Sequence, residues 1–440
     1  MDNRTIDRIY YCSIVRLVED RNDKKMKQVF GNLRLENRVV DLTVEDGVFS
    51  AIEDHVPVVG EGAARPVIPA FYNGHTHLAM NLLRGYADDL ELMPWLQEHI
   101  WPAEAHLTDE IVYAGTRLAI LEMIHNGTVF ANDMYWFAPA VARAAEEMGI
   151  RCAVSMQTIE TGGPGKNDPK NIAANKALEQ LPRSSASRVF TTLAPHAIYT
   201  VCESSLRELA ARAKAEDTFI HVHVAETKFE CETCKKEHDG RTPMAYLNDC
   251  GLLGPKTLMA HCVHLTDDDI KIVRDTGAVI VENQQSNMKL VSGLFPFSRA
   301  HGCRMALGTD GASSNNSLSM FAEMKCAALA AKIESGDPTA APAAEIFRLA
   351  TRGGAQAIGL DAGEIRVGAA ADFSILNPNA TPLVPGFNRT SDLVYAADSS
   401  CVETVVCAGR VLMEGGVIPG EEEILAAARR AATALTNPLA

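Results

Sequence analysis

The chain has 440 residues, 47% of them apolar and 22% charged, with 31 Gly, 20 Pro and 6% aromatics. That balance buries a large core and excludes a disordered or fibrous chain. Lys and Arg total 41 against 56 Asp and Glu, a net charge of -15, which disfavours a phosphate backbone or an anionic membrane surface as partner.

The opening MDNRTIDRIYYC carries acids where a targeting segment is basic, and nowhere does an apolar run reach the roughly 18 residues of a membrane span. The expectation is a cytoplasmic protein that binds neither nucleic acid nor membrane. Eleven scattered cysteines read as reduced thiols, and the lone CxxC, Cys231 and Cys234, lacks the second ligand pair of a zinc module.

Up to about residue 66 the chain alternates apolar and polar residues with short turns, as hairpin strands do. Eight apolar, β-branched stretches follow: Val67 to His77, Gly127 to Met134, Arg151 to Gln157, Val189 to His196, Thr218 to Glu226, Thr257 to Leu265, Ala278 to Asn283 and Arg304 to Asp310. Helical patterns lie between them, such as Glu110 to Asn126, Pro139 to Met148, Glu203 to Ala215 and Thr266 to Thr276. Eight βα units close a barrel, and the GxGxxG of a dinucleotide-binding open sheet is absent.

Asp372 to Val417 reads again as strands, and EEEILAAARRAATAL beyond about 420 as a terminal helix. Neither flank alone buries much, so one β-sandwich built from both termini is expected. The fold class is α/β: a (β/α)8 TIM barrel over residues 67–359, with residues 1–66 and 360–440 forming the sandwich and the terminal helix.

Metal-competent residues cluster at the C-terminal ends of the barrel strands, where βα loops build an active site. His75 and His77 in HTH are two residues apart and so share a strand face. His221 and His223 alternate in the same way on strand five, with Glu226 just beyond it; His261 and His264 fall on strand six and Asp310 closes strand eight. A carboxylate so placed is costly to bury without a cation or hydrogen bonds. Taken singly, His221 and His264 read as core packing. The loop GGPGKNDP lacks GK[ST] and reads as a flexible lid rather than a phosphate cradle.

HTH after VIPAFYNG, HVHVAE, AHCVHL and GTDGASSNN together resemble the amidohydrolase superfamily. MNLLRGYADDLELMPWLQEHIWPAEAHLT and APHAIYT are similar, more narrowly, to its methylthioadenosine/S-adenosylhomocysteine deaminase branch. The resemblance implies that His75, His77, His223 and Asp310 hold one divalent metal ion, zinc or iron(II), as suits an N and O donor set. It gives Asp310 the proton of the attacking water, Glu226 the role of proton donor to the ring, and His261 that of orienting the nucleophile. Glu104 takes the ribose hydroxyls, His196 makes a second substrate contact, and Trp95 forms an aromatic wall.

The implied reaction is hydrolytic deamination of an adenine nucleoside by a homo-oligomer, with the nucleoside as its small-molecule partner. Where relatives that accept homocysteine carry arginines, Gln157 to Lys170 offers only lysines; adenosine, methylthioadenosine or 5'-deoxyadenosine therefore fits better than S-adenosylhomocysteine. The alternatives are an amino- or chlorohydrolase acting on a free base or triazine, and a barrel without catalysis.

Overall fold

The computed structural model describes residues 10–11, 15–19, 26–90 and 94–436. Two sheets organise it. Eight parallel strands, β1 Phe71–Thr76, β2 Thr128–Asp133, β3 Arg151–Thr158, β4 Val189–Pro195, β5 Ile220–Val224, β6 Thr257–His261, β7 Val279–Glu282 and β8 Arg304–Leu307, pair in chain order. Their residues are almost wholly buried, as strands with helices outside and a packed interior must be. The (β/α)8 barrel expected from the sequence is therefore present.

The expected helices are present as Asp109–His125, Ala138–Met148, Glu203–Glu216 and Asp267–Thr276. The last begins at a capping box in which Thr266 and Asp269 satisfy each other's backbone N–H.

The barrel closes between β1 and β8 through side chains as well as backbone. Asn73 Nδ2 donates to Thr309 Oγ1 at 2.7 Å, the Thr309 N–H returns to Asn73 Oδ1 at 3.0 Å, and the Asp310 N–H donates to His75 O at 3.0 Å. Gly308 is required here. A Cβ on it would stand 2.7 Å from His75 N and 2.5 Å from Asn283 Oδ1.

The second sheet has nine strands and joins the two ends of the chain: Phe373–Leu376 pairs antiparallel with both Arg65–Pro69 and Val402–Cys407. It encloses a separate core in which Phe30 meets Phe373 edge to face, with ring centroids 4.9 Å apart. The terminal helix is Glu421–Thr436.

The apolar stretch from Val67 to His77, expected as one strand, is two. Arg65–Pro69 belongs to the terminal sheet, and the chain then turns at Ala70, whose N–H donates to Asp372 O at 3.1 Å, to begin β1. Periodicity runs unbroken across this joint because both sides are buried. Strand six is also shorter than expected, ending at His261, so His264 lies beyond it, with Nε2 2.8 Å from Ser292 O.

Asp372, 1% exposed, couples the two bodies. It accepts from the Tyr72 hydroxyl on β1, from Arg151 on β3 at 2.7 and 3.3 Å, and from the Ala408 N–H at 2.6 Å. Removing one partner of such a buried pair strands the other charge in low dielectric. Asp372→Ala should cost about 3–5 kcal/mol, read as a marked drop in thermal midpoint; a midpoint equal to wild type would show that the network does not hold the bodies together.

Candidate metal-dependent active site

The C-terminal mouth of the barrel carries the site. His75 and His77 end β1, His223 is on β5, His261 ends β6, and Asp310 follows β8. Two of these positions have left-handed backbone, His261 at φ 72° and Asp310 at φ 61°. Non-glycine residues rarely adopt that conformation, and its strain collects at functional sites.

Each imidazole is oriented from behind. His77 Nδ1 donates to Met134 O at 2.5 Å, His223 Nδ1 to His196 O at 2.7 Å, and His261 Nδ1 to Asn287 Oδ1 at 2.8 Å. His75 Nδ1 lies 2.8 Å from His221 Nε2. Carbonyl and amide oxygens only accept, so the bonds of His77, His223 and His261 place a proton on Nδ1 and turn Nε2 towards the site, while the bond between His75 and His221 fits either tautomer.

Asp310 is fixed in the same way. Oδ2 accepts from Ser286 at 2.6 Å and Ser314 at 2.9 Å, while Oδ1 lies 3.3 Å from His75 Nε2 and 3.2 Å from His77 Nε2. The ligand atoms of His75, His77 and Asp310 fall within 4.8 Å of one another, and so do those of His75, His223 and His261.

The electrostatics follow from this crowding. Burial drives His75 down to about 4 despite Asp310. Burial also acts against charge on His77, but the hydrogen bond and charge of Asp310 outweigh it and lift His77 to about 9. Burial and the neighbouring imidazoles hold His223 well below its ordinary value. Burial alone would raise Asp310; the facing His75 and His77 reverse it and hold the carboxyl well below the usual range.

A divalent cation fits this set. His75 Nε2 is buried without a hydrogen-bond partner although it is 3.3 Å from a carboxylate oxygen, and the donors are the borderline nitrogens and hard oxygen that zinc or iron(II) takes.

A cavity of about 480 Å³ is lined by His77, His223, His261 and Asp310, with the fully buried His75 behind them, and also by Glu226, Glu104, His196 and Trp95. Every residue proposed for the site from the sequence is thus gathered in one place. Glu226, raised by burial, has Oε2 3.8 Å from His261 Nε2 and accepts from Ser292 at 3.4 Å. Glu230 clamps the turn that presents it, accepting from the Ala225 and Glu226 N–H groups at 3.0 and 2.8 Å.

Glu104 accepts from Trp136 Nε1 at 3.2 Å through Oε2, while its buried Oε1 makes no well-formed hydrogen bond although the buried Tyr135 hydroxyl faces the carboxylate. His196 Nδ1 donates to Thr200 Oγ1 at 3.0 Å, since that hydroxyl spends its proton on Ala197 O; Nε2 is left as an acceptor. Burial drives His196 down to about 3, keeping it neutral.

The loop after β3 is tied together at its two ends. Asn167 Oδ1 accepts from the Ile159 and Asp168 N–H groups at 2.9 Å each, and Thr161 donates to Asp168 at 2.8 Å. Lys170, in the helix Pro169–Leu178 that follows the loop, reaches the cavity wall, which contains no arginine among the described residues. Cys231 and Cys234 sit buried on the helix Lys228–Glu237, their thiols pushed up by burial to about 12 and about 11, as packing residues.

Sequence reading missed Trp136, which follows β2 at a βα-loop position, and Ser286 and Asn287 in the polar run after β7. It also gave His221 too little: that residue is what orients His75.

The model of the amidohydrolase family matches residues 67–412. This chain belongs to the amidohydrolase family. A 5'-deoxyadenosine deaminase of Methanothermobacter thermautotrophicus is 42% identical over 408 residues, covering 91% of this chain and 94% of that one. A 5-methylthioadenosine/S-adenosylhomocysteine deaminase of Archaeoglobus fulgidus is 41% identical over 90% of this chain and 92% of its own. Among solved structures, an adenosine deaminase of Xanthomonas campestris with bound zinc superposes with a TM-score of 0.83 at 32% identity, covering 90% of this chain and 93% of that one.

His221→Leu removes the hydrogen-bond partner behind His75 Nδ1, and loss of such an outer partner costs about 10- to 100-fold in metal affinity. Competition against a chromophoric chelator measures it; unchanged affinity would show that His75 needs no support from His221.

Proposed function

We propose that the protein is a metal-dependent deaminase of adenine nucleosides, with His75, His77, His223 and Asp310 holding one divalent ion, zinc or iron(II), and Glu226, His261 and Asp310 acting on the reacting atoms. The observation that carries this reading is that the cavity lined by Asp310, His261 and Glu226 also contains Glu104, with one buried carboxylate oxygen left open.

A divalent cation bound there supplies Lewis acidity, which makes water acidic enough to lose a proton near neutral pH. The rest falls to the chain. Asp310 presents Oδ1 to the cavity as acceptor for the proton of the attacking water, while Ser286 and Ser314 occupy Oδ2. His261, with its Nδ1–H committed to Asn287, keeps Nε2 as an acceptor that orients that water.

Glu226 donates a proton to the ring nitrogen beside the attacked carbon, and its raised pKa holds that proton closer to neutral pH. Water adds at C6, the new hydroxyl returns a proton to Glu226 as it becomes the 6-oxo group, and the proton held by Asp310 passes to the amine, which leaves as ammonia. The ring nitrogen and the leaving amine each need a proton, which is why this reading needs both Glu226 and Asp310.

Glu104 receives the ribose hydroxyls, His196 makes a second contact through its free Nε2, and Trp95, 5% exposed, walls the cavity. With Lys170 and no arginine on the described wall, a terminal carboxylate finds only a point charge. Adenosine, 5'-deoxyadenosine and methylthioadenosine are the substrates of choice over S-adenosylhomocysteine. A hydrolase of free bases or triazines would leave Glu104 Oε1 unused.

The division of labour proposed with this activity gives chemistry to residues 67–359 and support to 1–66 with 360–440. A cytoplasmic homo-oligomer completes the reading, on the resemblance and the acidic composition.

Ammonia release across adenosine, 5'-deoxyadenosine, methylthioadenosine, S-adenosylhomocysteine and adenine tests the reading. Leaving Glu104 unpaired should cost adenine at least about 1–3 kcal/mol in kcat/KM, whereas equal rates on adenine would remove Glu104 from substrate binding. Glu226→Gln should retain the metal and lose at least about 100-fold in kcat; turnover within a few-fold of wild type would show that Glu226 is not the proton donor.

A further inference from the structure

The hydrogen bonds behind the site converge on one short helix, Gln284–Lys289. Its Ser286 holds Asp310 Oδ2 at 2.6 Å and its Asn287 holds His261 Nδ1 at 2.8 Å. A second short helix, Ala312–Asn315, supplies Ser314, which holds the same Asp310 oxygen at 2.9 Å. Neither helix has the length to be stable alone.

Both are tied to one buried carboxylate that touches no reacting group. Glu323, 0% exposed on the helix Met320–Ser335, accepts from the Gln285 N–H at 3.2 Å and from Gln285 Nε2 at 2.9 Å. It also accepts from Asn315 Nδ2 at 3.3 Å, and Asn315 donates in turn to Thr309 O at 2.6 Å, beside Asp310. The residues it grips flank those that orient the site: Gln285 precedes Ser286 and Asn287, and Asn315 follows Ser314.

We propose that Glu323 is a positioning residue for the metal site, fixing Asp310 and His261 through Gln285 and Asn315. A carboxylate offers two acceptor oxygens to three N–H donors here, whereas an amide offers one oxygen and turns an NH₂ group on the rest. Glu323→Gln therefore keeps the volume and loses the grip. The proposal rests on the metal reading of the His and Asp cluster but not on the substrate.

The test is the zinc dissociation constant of chelator-stripped protein, measured by competition against a chromophoric chelator, with the thermal midpoint of each metal-free variant and kcat and KM for 5'-deoxyadenosine alongside. Glu323→Gln should weaken zinc by about 10-fold, the lower end of what loss of a ligand's own partner costs, because Glu323 acts one bond further out, and should lower kcat more than it raises KM. Gln285→Met, which cuts the same link from its other end, should act in the same direction. Glu282→Gln is the control: this glutamate is as deeply buried beside the same elements, burial pushes its carboxyl well up, and its Oε2 has no hydrogen-bond partner. It should leave zinc affinity unchanged. Zinc affinity within two-fold of wild type in both Glu323→Gln and Gln285→Met, or an equal loss in Glu282→Gln, would overturn the proposal while leaving the metal reading intact. Wild-type protein that binds no zinc would overturn both.

Discussion

A single buried carboxylate sets the terms for the rest of the molecule. Asp310 is 6% exposed at the end of a barrel strand, in left-handed backbone at φ 61°. Burying that charge without compensation would cost more than a typical domain's margin of stability. Two serines and a backbone N–H satisfy it from outside, and the Nε2 atoms of His75 and His77 face it from within. Barrel closure is part of the same arrangement, because the Asp310 N–H bonds to His75 O across the β1–β8 seam. The strain at Asp310 and His261 persists because the surrounding sheet and helices over-determine it.

The imidazoles extend this logic. Their Nδ1 atoms are committed to carbonyls, an amide or another imidazole, so their Nε2 atoms are turned to the space that Asp310 also faces. Such preorganisation removes the reorientation that metal binding would otherwise require. The open oxygen of Glu104 and the open Nε2 of His196 apply the same device to substrate: one side of each group is satisfied by protein, and the other is reserved.

How much of this the sequence revealed depends on whether a feature is local. The strands carry their own periodicity, and HTH and HVH announce shared faces within three residues. The barrel and the candidate ligands were therefore legible. The joint at Ala70 was not, because burial on both sides erased the break between Pro69 and Phe71. Nor were Trp136, Asn287 or the support that His221 gives His75: these are contacts between side chains far apart in the chain, such as the 146 residues separating His75 from His221. A polar run such as ENQQSNMK after a buried strand could have marked the place, but not which residue meets which. The terminal sheet followed from area, since neither flank could bury a core alone.

The claim on which the account turns is that one divalent cation sits among these side chains. A zinc-edge anomalous difference map from crystals of the zinc-loaded protein tests it most directly. The account predicts one peak per chain, about 2.0–2.2 Å from Nε2 of His75, His77 and His223 and from a carboxylate oxygen of Asp310. Two peaks in the barrel mouth, or a peak that leaves Asp310 uncoordinated, would contradict it.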